Sequence, residues 1–151
     1  MRLMMATGLL LAGLGGPLAA QDDNPNVEAR QHHMDLYSYN LSILGAMAKG
    51  ERDYDAELAG AAASRLHALA TLDQTGYWPE GTSSEEIDDS RALPALFENM
   101  DDYMNLTEEL ASAAMEMQNV AGDGAEAIGG QMRALGGSCG SCHEKYRQSD
   151  D

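Results

Sequence analysis

The sequence has few basic side chains: 9 Lys and Arg stand against 25 Asp and Glu, which gives a formal charge of −16 at pH 7. A surface of this sign repels nucleic acid and anionic membranes, so we expect no nucleic-acid partner. It would instead steer basic protein partners toward the chain. The same charge is equally consistent with a role in solubility alone.

Long apolar runs are missing as well. A helix that spans a bilayer needs about 20 apolar residues, and the most apolar stretch, residues 9–14, is much shorter. That stretch lies between Arg2 and the small residue Ala20, in the order of a secretory signal peptide. We therefore predict no membrane span and a cleaved leader over residues 1–20. The mature chain, residues 21–151, would be periplasmic and long enough for a single domain.

Only two cysteines are present, Cys139 and Cys142, and with His143 they form the pattern Cys-x-x-Cys-His. They leave no thiol for a disulfide framework. A structural zinc site would need two more ligands at suitable spacing, which the adjacent His32 and His33 do not supply. A redox dithiol is expected near a βαβ pattern, and no strand signal is visible. The pattern therefore predicts covalent attachment of a c-type haem.

The spacing of this motif has a physical reason. Residues three and four apart share one face of a helix, so Cys139, Cys142 and His143 can all point toward one object. We predict two thioether bonds to haem and an iron-bound imidazole. Five glycines nearby each cost a helix about 1 kcal/mol relative to Ala, and we interpret them as room for a flat porphyrin. The alternative is a frayed or broken helix. These glycines are Gly129, Gly130, Gly136, Gly137 and Gly140.

Four segments carry apolar residues at steps of three and four, which predicts four amphipathic helices. In the first, the inward positions are Val27, Arg30, Met34, Tyr37, Leu41, Leu44 and Ala48. In the second, which Asp53 would cap, they are Tyr54, Leu58, Ala61, Arg65, Leu69 and Leu72. The third would begin near Ser90, with Pro94 in its first turn, and continue through Phe97, Met100, Met104, Leu110, Met117 and Val120. The core stripe of the fourth helix would contain both cysteines together with Ala125, Ile128, Met132, Leu135 and Tyr146.

The connections complete this picture. Periodicity stops over residues 75–89, a long loop that holds the only tryptophan, Trp78. We expect Trp78 to cover either the end of the core or an edge of the haem. Asp123 and Glu126 resemble a capping box at the start of the fourth helix. Four helices without a strand signal predict an all-α fold, an antiparallel four-helix bundle with covalently attached haem in its core.

Residues 25–148 resemble the class II c-type cytochromes, of which cytochrome c′ is the best-known type. The resemblance rests most on the ending Cys142-His143-Glu144-Lys145-Tyr146-Arg147. It rests also on Glu28-Ala29-Arg30-Gln31 with Met34, and on residues 45–55, 79–83 and 121–124 in combination. The family implies a four-helix bundle with one haem c and dimerisation through the first two helices.

The resemblance also implies roles for individual residues. Cys139 and Cys142 would be the thioether anchors and His143 the proximal ligand. Met34 would face the distal side of the iron. Arg30 would lie near a haem propionate, and Arg147 would shield the His–iron bond from solvent. Independently of the family, a charged Arg30 on an apolar stripe needs a partner, for which a propionate is the candidate. The alternative is that its long side chain extends to water at the helix end.

Met34 decides the predicted function. If its sulfur is the sixth iron ligand, the haem is six-coordinate and low-spin, as in the electron-transfer branch that the resemblance includes. If it only fills the pocket, the iron is five-coordinate and open to nitric oxide or carbon monoxide. We expect a carrier that cycles Fe(III)/Fe(II) with basic redox proteins and that could bind nitric oxide or carbon monoxide at a five-coordinate site. The alternatives are a six-coordinate electron shuttle with Met34 as ligand and a gas-binding or nitric-oxide-scavenging protein without redox partners. We do not expect a peroxidase, which needs a polar distal acid–base group. His32, His33 and His67 are expected at surface or boundary positions.

Overall fold

The computed structural model describes residues 24–149, so the predicted signal peptide lies outside the described residues. The described chain contains four long helices and one short one, and no strand is found in it. In chain order these are α1 Pro25–Ala48, α2 Ala56–Ala70, α3 Pro94–Glu98, α4 Met100–Val120 and α5 Ala125–Tyr146. Helix α1 packs on α2 and α5, and α4 packs on the same two helices, so the long helices form the predicted four-helix bundle.

The helix boundaries follow from local chemistry, although two predicted caps are wrong. Asn24 caps α1 by accepting from the backbone N–H groups of Asn26 and Val27, and Pro25 occupies the first turn, where its missing N–H costs nothing. Helix α2 is capped by Asp55, not by Asp53: the Asp55 carboxylate accepts from the N–H of Leu58 at 3.0 Å. A capping side chain accepts hydrogen bonds from the free N–H groups of the first helical turn, so the residue that directly precedes the helix is best placed to cap it.

Helix α5 begins without a side-chain cap, which corrects the predicted capping box of Asp123 and Glu126. Gly124 occupies the cap position with φ +115°, a conformation that glycine adopts without steric cost. The predicted third helix is divided. Pro94 starts the five-residue α3, and Asn99 leaves the helical conformation before α4 begins.

The face of α2 that enters the core differs from the predicted one. Alanines dominate it, and they let the backbones of neighbouring helices approach closely. The buried residues are Ala59, Ala62, Ala63, Leu66 and Ala70. Of the predicted inward residues, Leu58 and Leu69 are partly buried against the core, Arg65 is exposed, and Tyr54 and Leu72 are exposed and lie outside α2.

The connection from α2 to α3 covers one end of the bundle. It pairs with the chain that follows α5: the N–H of Leu93 donates to the carbonyl of Tyr146 at 2.9 Å, and the N–H of Gln148 donates to the carbonyl of Arg91 at 2.8 Å. Trp78 packs here beside Leu96, Tyr103 and Tyr146 in a second, smaller apolar cluster. The residues of the predicted haem site lie at this end of the bundle.

Candidate haem site

Helix α5 carries the Cys-x-x-Cys-His motif on an unbroken helix, so the alternative of a broken helix is wrong. Both thiols are partly buried, as is His143. An added Cβ at Gly136, Gly137 or Gly140 would meet no atom within 4 Å. Gly136 and Gly137 are exposed and Gly129 packs against Ala48, so the interpretation of these glycines as room for a porphyrin stays a prediction.

The environment of the thiols disfavours a redox dithiol. Burial raises the pKa of the Cys139 thiol, and burial together with the nearby Cys139 raises the pKa of Cys142. Reactive dithiols need the opposite shift, because the thiolate is the nucleophile. A structural zinc site is disfavoured as well, since residues 24–149 hold no group of three or more His, Cys, Asp or Glu side chains able to bind a metal ion.

His143 is suited to bind iron. Burial lowers the pKa of its imidazole, and the positive charges of Arg147 and Arg91 lower it further. A low pKa keeps the ring neutral, and a neutral imidazole is the form that binds metals. The lone pair of one ring nitrogen is then available at neutral pH.

Two adjoining cavities meet at the motif. One has a volume of about 330 Å³ and reaches Arg30, Trp78 and Tyr146. The other, about 750 Å³, reaches Tyr37 and Cys139. Both volumes are in the range of small-molecule and cofactor sites. The residues that line both cavities are Met34, Asp35, Tyr103, Cys142, His143 and Arg147.

The donor set at these cavities fits a covalently bound haem. Two thiols and an imidazole on one helix face the same space, and large apolar side chains complete the walls. Leu41, Leu106, Leu110 and Met132 line the larger cavity, and Val27 and Leu96 line the smaller one. An apolar shell of this kind is one of the features by which a protein sets the reduction potential of haem.

Met34 lies at the wall shared by the two cavities, on the helix that faces the motif. Its side chain is 42% exposed, whereas Met47 on the same helix is 1% exposed. Core packing therefore accounts for Met47 and does not account for Met34. The structure thus brings the candidate sixth ligand into the same space as His143.

Arg30 lines the smaller cavity with its guanidinium bonded to the long loop. One terminal nitrogen donates to the hydroxyl of Thr82 at 3.0 Å and to the carbonyl of Tyr77 at 3.3 Å. The other donates to the carbonyl of Thr82 at 2.9 Å and to the hydroxyl of Ser90 at 3.4 Å. The guanidinium also lies 4.6 Å from the centre of the Trp78 ring. These contacts supply the partner that the sequence required for a buried Arg30.

Arg147 directly follows α5, where its N–H donates to the carbonyl of His143 at 3.1 Å. Its backbone pairs with Ala92 in an isolated antiparallel bridge. Its side chain lines both cavities beside His143. All six sequence-predicted site residues are therefore brought together at one end of the bundle.

Several residues around the site were not predicted from the sequence. Tyr103 is 4% exposed and packs at 5.0 Å, edge to face, on Trp78. The oxygen of Gln74 accepts from both of these side chains, at 2.7 Å from the Tyr103 hydroxyl and 3.1 Å from the Trp78 indole. Apolar residues at positions 103, 106, 110, 114 and 117 also follow steps of three and four along α4. Choosing this set in place of the predicted inward residues would have placed Tyr103 in the core.

His33 also differs from its predicted position at the surface or boundary. It is 5% exposed and stacks on Tyr37 with ring centres 5.0 Å apart. Its Nε2 lies 3.1 Å from the carbonyl oxygen of Leu69 on α2. His33 therefore joins the first two helices beside a residue that lines the larger cavity.

Comparison with known proteins agrees with this site. The family model described as cytochrome C′ matches residues 25–147. Cytochrome c-554 of Cereibacter sphaeroides is 47% identical over 124 residues, covering 82% of this chain and 93% of that protein. A cytochrome c′ of the same organism is 32% identical and covers 97% of each chain.

Solved structures show the same fold at this level of identity. A cytochrome c′ from Rhodobacter sphaeroides superposes with a TM-score of 0.79 at 31% identity, covering 82% of this chain and 95% of that one. A second cytochrome c′, described as having an unusual ligand-controlled dimer dissociation, gives a TM-score of 0.73 at 29% identity with the same coverage. With Cys139, Cys142 and His143 in the haem-attachment pattern, the chain belongs to the cytochrome c′ family and binds haem c.

Proposed function

We propose that this chain is a single-electron carrier whose haem c is held by thioethers at Cys139 and Cys142, with His143 and Met34 as its axial ligands. The observation that carries the proposal is the position of Met34. Met34 lines both cavities beside His143 and is 42% exposed. A Met–His pair raises the reduction potential of haem, as suits a carrier.

When bound, the haem supplies a one-electron Fe(III)/Fe(II) couple. The residues that line the two cavities would hold it. Burial raises the pKa of both Tyr37 and Tyr103 well above the usual value, so these phenols stay protonated and do not compete as anionic ligands. The apolar side chains of the walls keep the local dielectric constant low, which strengthens the influence of every nearby charge.

Arg30 fits a role at a haem propionate. Its four terminal N–H groups are used by the loop, and no hydrogen bond to a described residue is made by its Nε–H. We propose that this remaining donor faces a propionate, while the loop holds the guanidinium in place. Arg147 would lie over the proximal side, since it lines both cavities beside His143.

A carrier fits these walls better than an enzyme. Peroxidase chemistry needs an acid–base group positioned on the distal side. The guanidinium of Arg30 is held by Thr82 and Ser90, and His33 is held against Leu69. Asp35, the carboxylate that lines both cavities, is exposed to solvent. We therefore expect no peroxidase turnover from the haem-loaded protein.

Binding of nitric oxide or carbon monoxide is the second candidate. It is favoured by Val27 and Leu96, apolar side chains that line the smaller cavity together with Met34, because an uncharged small ligand could bind the iron among them if the Met34 sulfur does not. The two candidates differ in one property, the coordination number of the iron.

The absorption spectrum of the haem-loaded protein distinguishes these two functions. We expect a sharp ferrous α-band that carbon monoxide does not change, because Met34 already occupies the sixth position. Met34→Leu should give a high-spin spectrum that shifts on adding carbon monoxide. Met47→Leu, on the same helix but in the core, is the matched control and should behave as the parent protein does.

Two outcomes would contradict this proposal. One is a parent protein whose ferrous spectrum is broad and shifts with carbon monoxide. The other is a Met34→Leu variant with an unaltered low-spin spectrum. The first result would replace the electron carrier by the gas-binding alternative, and the second would show that a residue other than Met34 is the sixth ligand.

The location and assembly of the protein are part of the same proposal. We propose that residues 1–20 direct export and that the mature protein acts in the periplasm, where a c-type haem and an acidic surface suit a soluble carrier. Among residues 24–149, no helix is long and apolar enough to cross a membrane. We also propose a homodimer through α1 and α2, which the exposed Leu36 and Tyr39 of α1 support.

A further inference from the structure

A third cavity lies on the outside of the bundle, away from the cysteines. It has a volume of about 650 Å³ and lies between residues 70–79, which end and follow α2, and one face of α4. Neither cysteine nor His143 lines it. We call it the α2–α4 groove, and its α4 side is formed by Met100, Tyr103, Met104, Thr107, Glu108 and Ala111.

The inner wall of the α2–α4 groove is also a wall of the haem site. Gln74, Trp78, Tyr103 and Thr107 each line the groove and at least one of the two cavities at the motif. The wall between groove and haem site is therefore one layer of side chains. Gln74 joins the two aromatic residues of this layer by accepting a hydrogen bond from each.

The outer surface of the groove is apolar with an acidic rim. Leu72 and Met104 are 47% and 52% exposed, and both line the groove. Single exposed apolar side chains are ordinary, but two that face one groove form a contact surface. The charged side chains in the lining are Asp73 and Glu108, and no Lys or Arg is among the described lining residues.

The Asp73 carboxylate of the rim is stabilised in its charged form. Hydrogen bonds from Thr75 lower the pKa of Asp73, and the backbone N–H of Thr75 donates to its carboxylate at 2.8 Å. The whole sequence adds a long-range field of the same sign, with a formal charge of −16. A partner with a basic surface would be drawn toward the molecule and then to this rim.

We propose that the α2–α4 groove docks a basic redox protein, which exchanges a single electron with the haem through the wall formed by Trp78, Tyr103 and Gln74. The proposal rests on the electron-carrier function proposed above. In the exchange, Fe(II) becomes Fe(III) as the partner's centre gains one electron; no bond forms or breaks and no proton moves. The rate of electron tunnelling falls steeply with distance. An electron would therefore leave the haem readily where only one layer of side chains separates the haem site from the partner.

Charge decides between the conceivable occupants of the groove. A second copy of this chain would bring the same acidic residues and the same net charge to the contact, and like charges opposed across an interface are costly. A basic partner makes the opposite pairing, with its apolar contact on Leu72 and Met104. Electron-transfer encounters bury less surface than stable complexes do, which matches the modest size of the groove.

The test uses haem-loaded, ferrous protein and ferric mitochondrial cytochrome c as a small basic probe. Stopped-flow absorbance follows the oxidation of this chain at a wavelength where the probe is isosbestic. Met104→Lys and Glu108→Lys place positive charge in the groove. Met115→Lys and Glu116→Lys are the matched controls, since they make the same charge change on exposed parts of α4 that do not line the groove. The site of Met115 lies about 16 Å farther along the helix.

We expect Met104→Lys and Glu108→Lys to lower the second-order rate about tenfold at low ionic strength, and this difference should shrink as salt is added. The control variants should stay within about twofold of the parent protein. Oxidation by ferricyanide, a small anion, should not distinguish a groove variant from its matched control.

Three results separate the possible failures. Equal slowing by groove and control variants would overturn the docking site, because only the net charge would matter. A parent protein that cycles with ascorbate and ferricyanide but does not react with the basic probe would also overturn it, leaving the carrier function intact. A parent protein that does not cycle reversibly with ascorbate and ferricyanide would overturn the carrier function itself.

Discussion

At the scale of single residues, His33 shows how burial assigns a role that residue type alone does not. Its ring is enclosed by Tyr37 and Tyr77, and its Nε2 faces the carbonyl of Leu69 at hydrogen-bonding distance. In that contact the nitrogen carries the proton and donates. Burial lowers the pKa of His33, and the Leu69 hydrogen bond offsets part of this shift.

This shift predicts a pH dependence of stability. Because the folded-state pKa of His33 lies below the unfolded value of about 6.5, the unfolded chain binds more protons as the pH falls below that value. The free energy of unfolding should then decrease until the folded-state pKa is reached. Above about pH 6.5 the contribution of His33 is constant, because the ring is neutral in both states.

Denaturant unfolding of the haem-loaded protein between pH 7.5 and 5 measures this effect. His33→Phe should reduce the loss of stability on acidification, since it removes the group that takes up a proton on unfolding. The exposed His32 offers a control in His32→Phe, which should keep the slope of the parent protein. An unchanged slope in His33→Phe would show that other groups cause the acid sensitivity.

At the scale of elements, the start of α2 gives different roles to two nearby carboxylates, Asp53 and Asp55. Asp55 accepts from the N–H of Leu58, whereas Asp53 lies two residues earlier and outside the helix. An N-cap removes the cost of one unpaired helix N–H. Only one of the two residues can do this, because the side chain must lie within one turn of the groups it accepts from.

Truncating the two carboxylates tests this assignment. Asp55→Ala should lower the free energy of unfolding by about 1 kcal/mol, the usual value of a lost N-cap. Asp53→Ala, which removes the same charge from an exposed position, should change it by less than about 0.5 kcal/mol. Equal effects of the two variants would show that the carboxylates act only through their charge.

At the scale of the whole molecule, the exposed apolar residues lie in more than one region. Leu36 and Tyr39 are on the outer face of α1 with 51% and 60% exposure, while Leu72 and Met104 face the α2–α4 groove. We assign the first region to a second copy of this chain and the second to a partner protein, because the acidic rim of the groove opposes self-association.

Sedimentation analysis of the haem-loaded protein tests the first assignment. Leu36→Asp should weaken the proposed dimer at least tenfold, since it places a charge in an apolar contact. Met115→Asp makes the same change at an exposed position of α4 and should leave the dimer intact. A parent protein that is monomeric at micromolar concentration, or a dimer that Leu36→Asp does not affect, would rule out an interface at this face.

The sequence by itself determined the features whose causes are local. The spacing of Cys139, Cys142 and His143 defines a haem-attachment pattern within five residues, and the three- and four-residue steps define the helices. The glycines of α5 did not break that helix, because its apolar stripe packs on α1 and α4 and offsets their low propensity.

Tertiary structure decided whatever depends on residues distant in the chain. The inward face of α2 is the one that packs on α1 and α4, so small alanines are buried and Arg65, on the predicted stripe, is exposed. Arg30 binds Thr82, 52 residues away, and His33 meets Leu69, 36 residues away. The periodicity of apolar residues predicts which residues share one face of a helix. Whether that face is buried depends on how the helix packs on its neighbours.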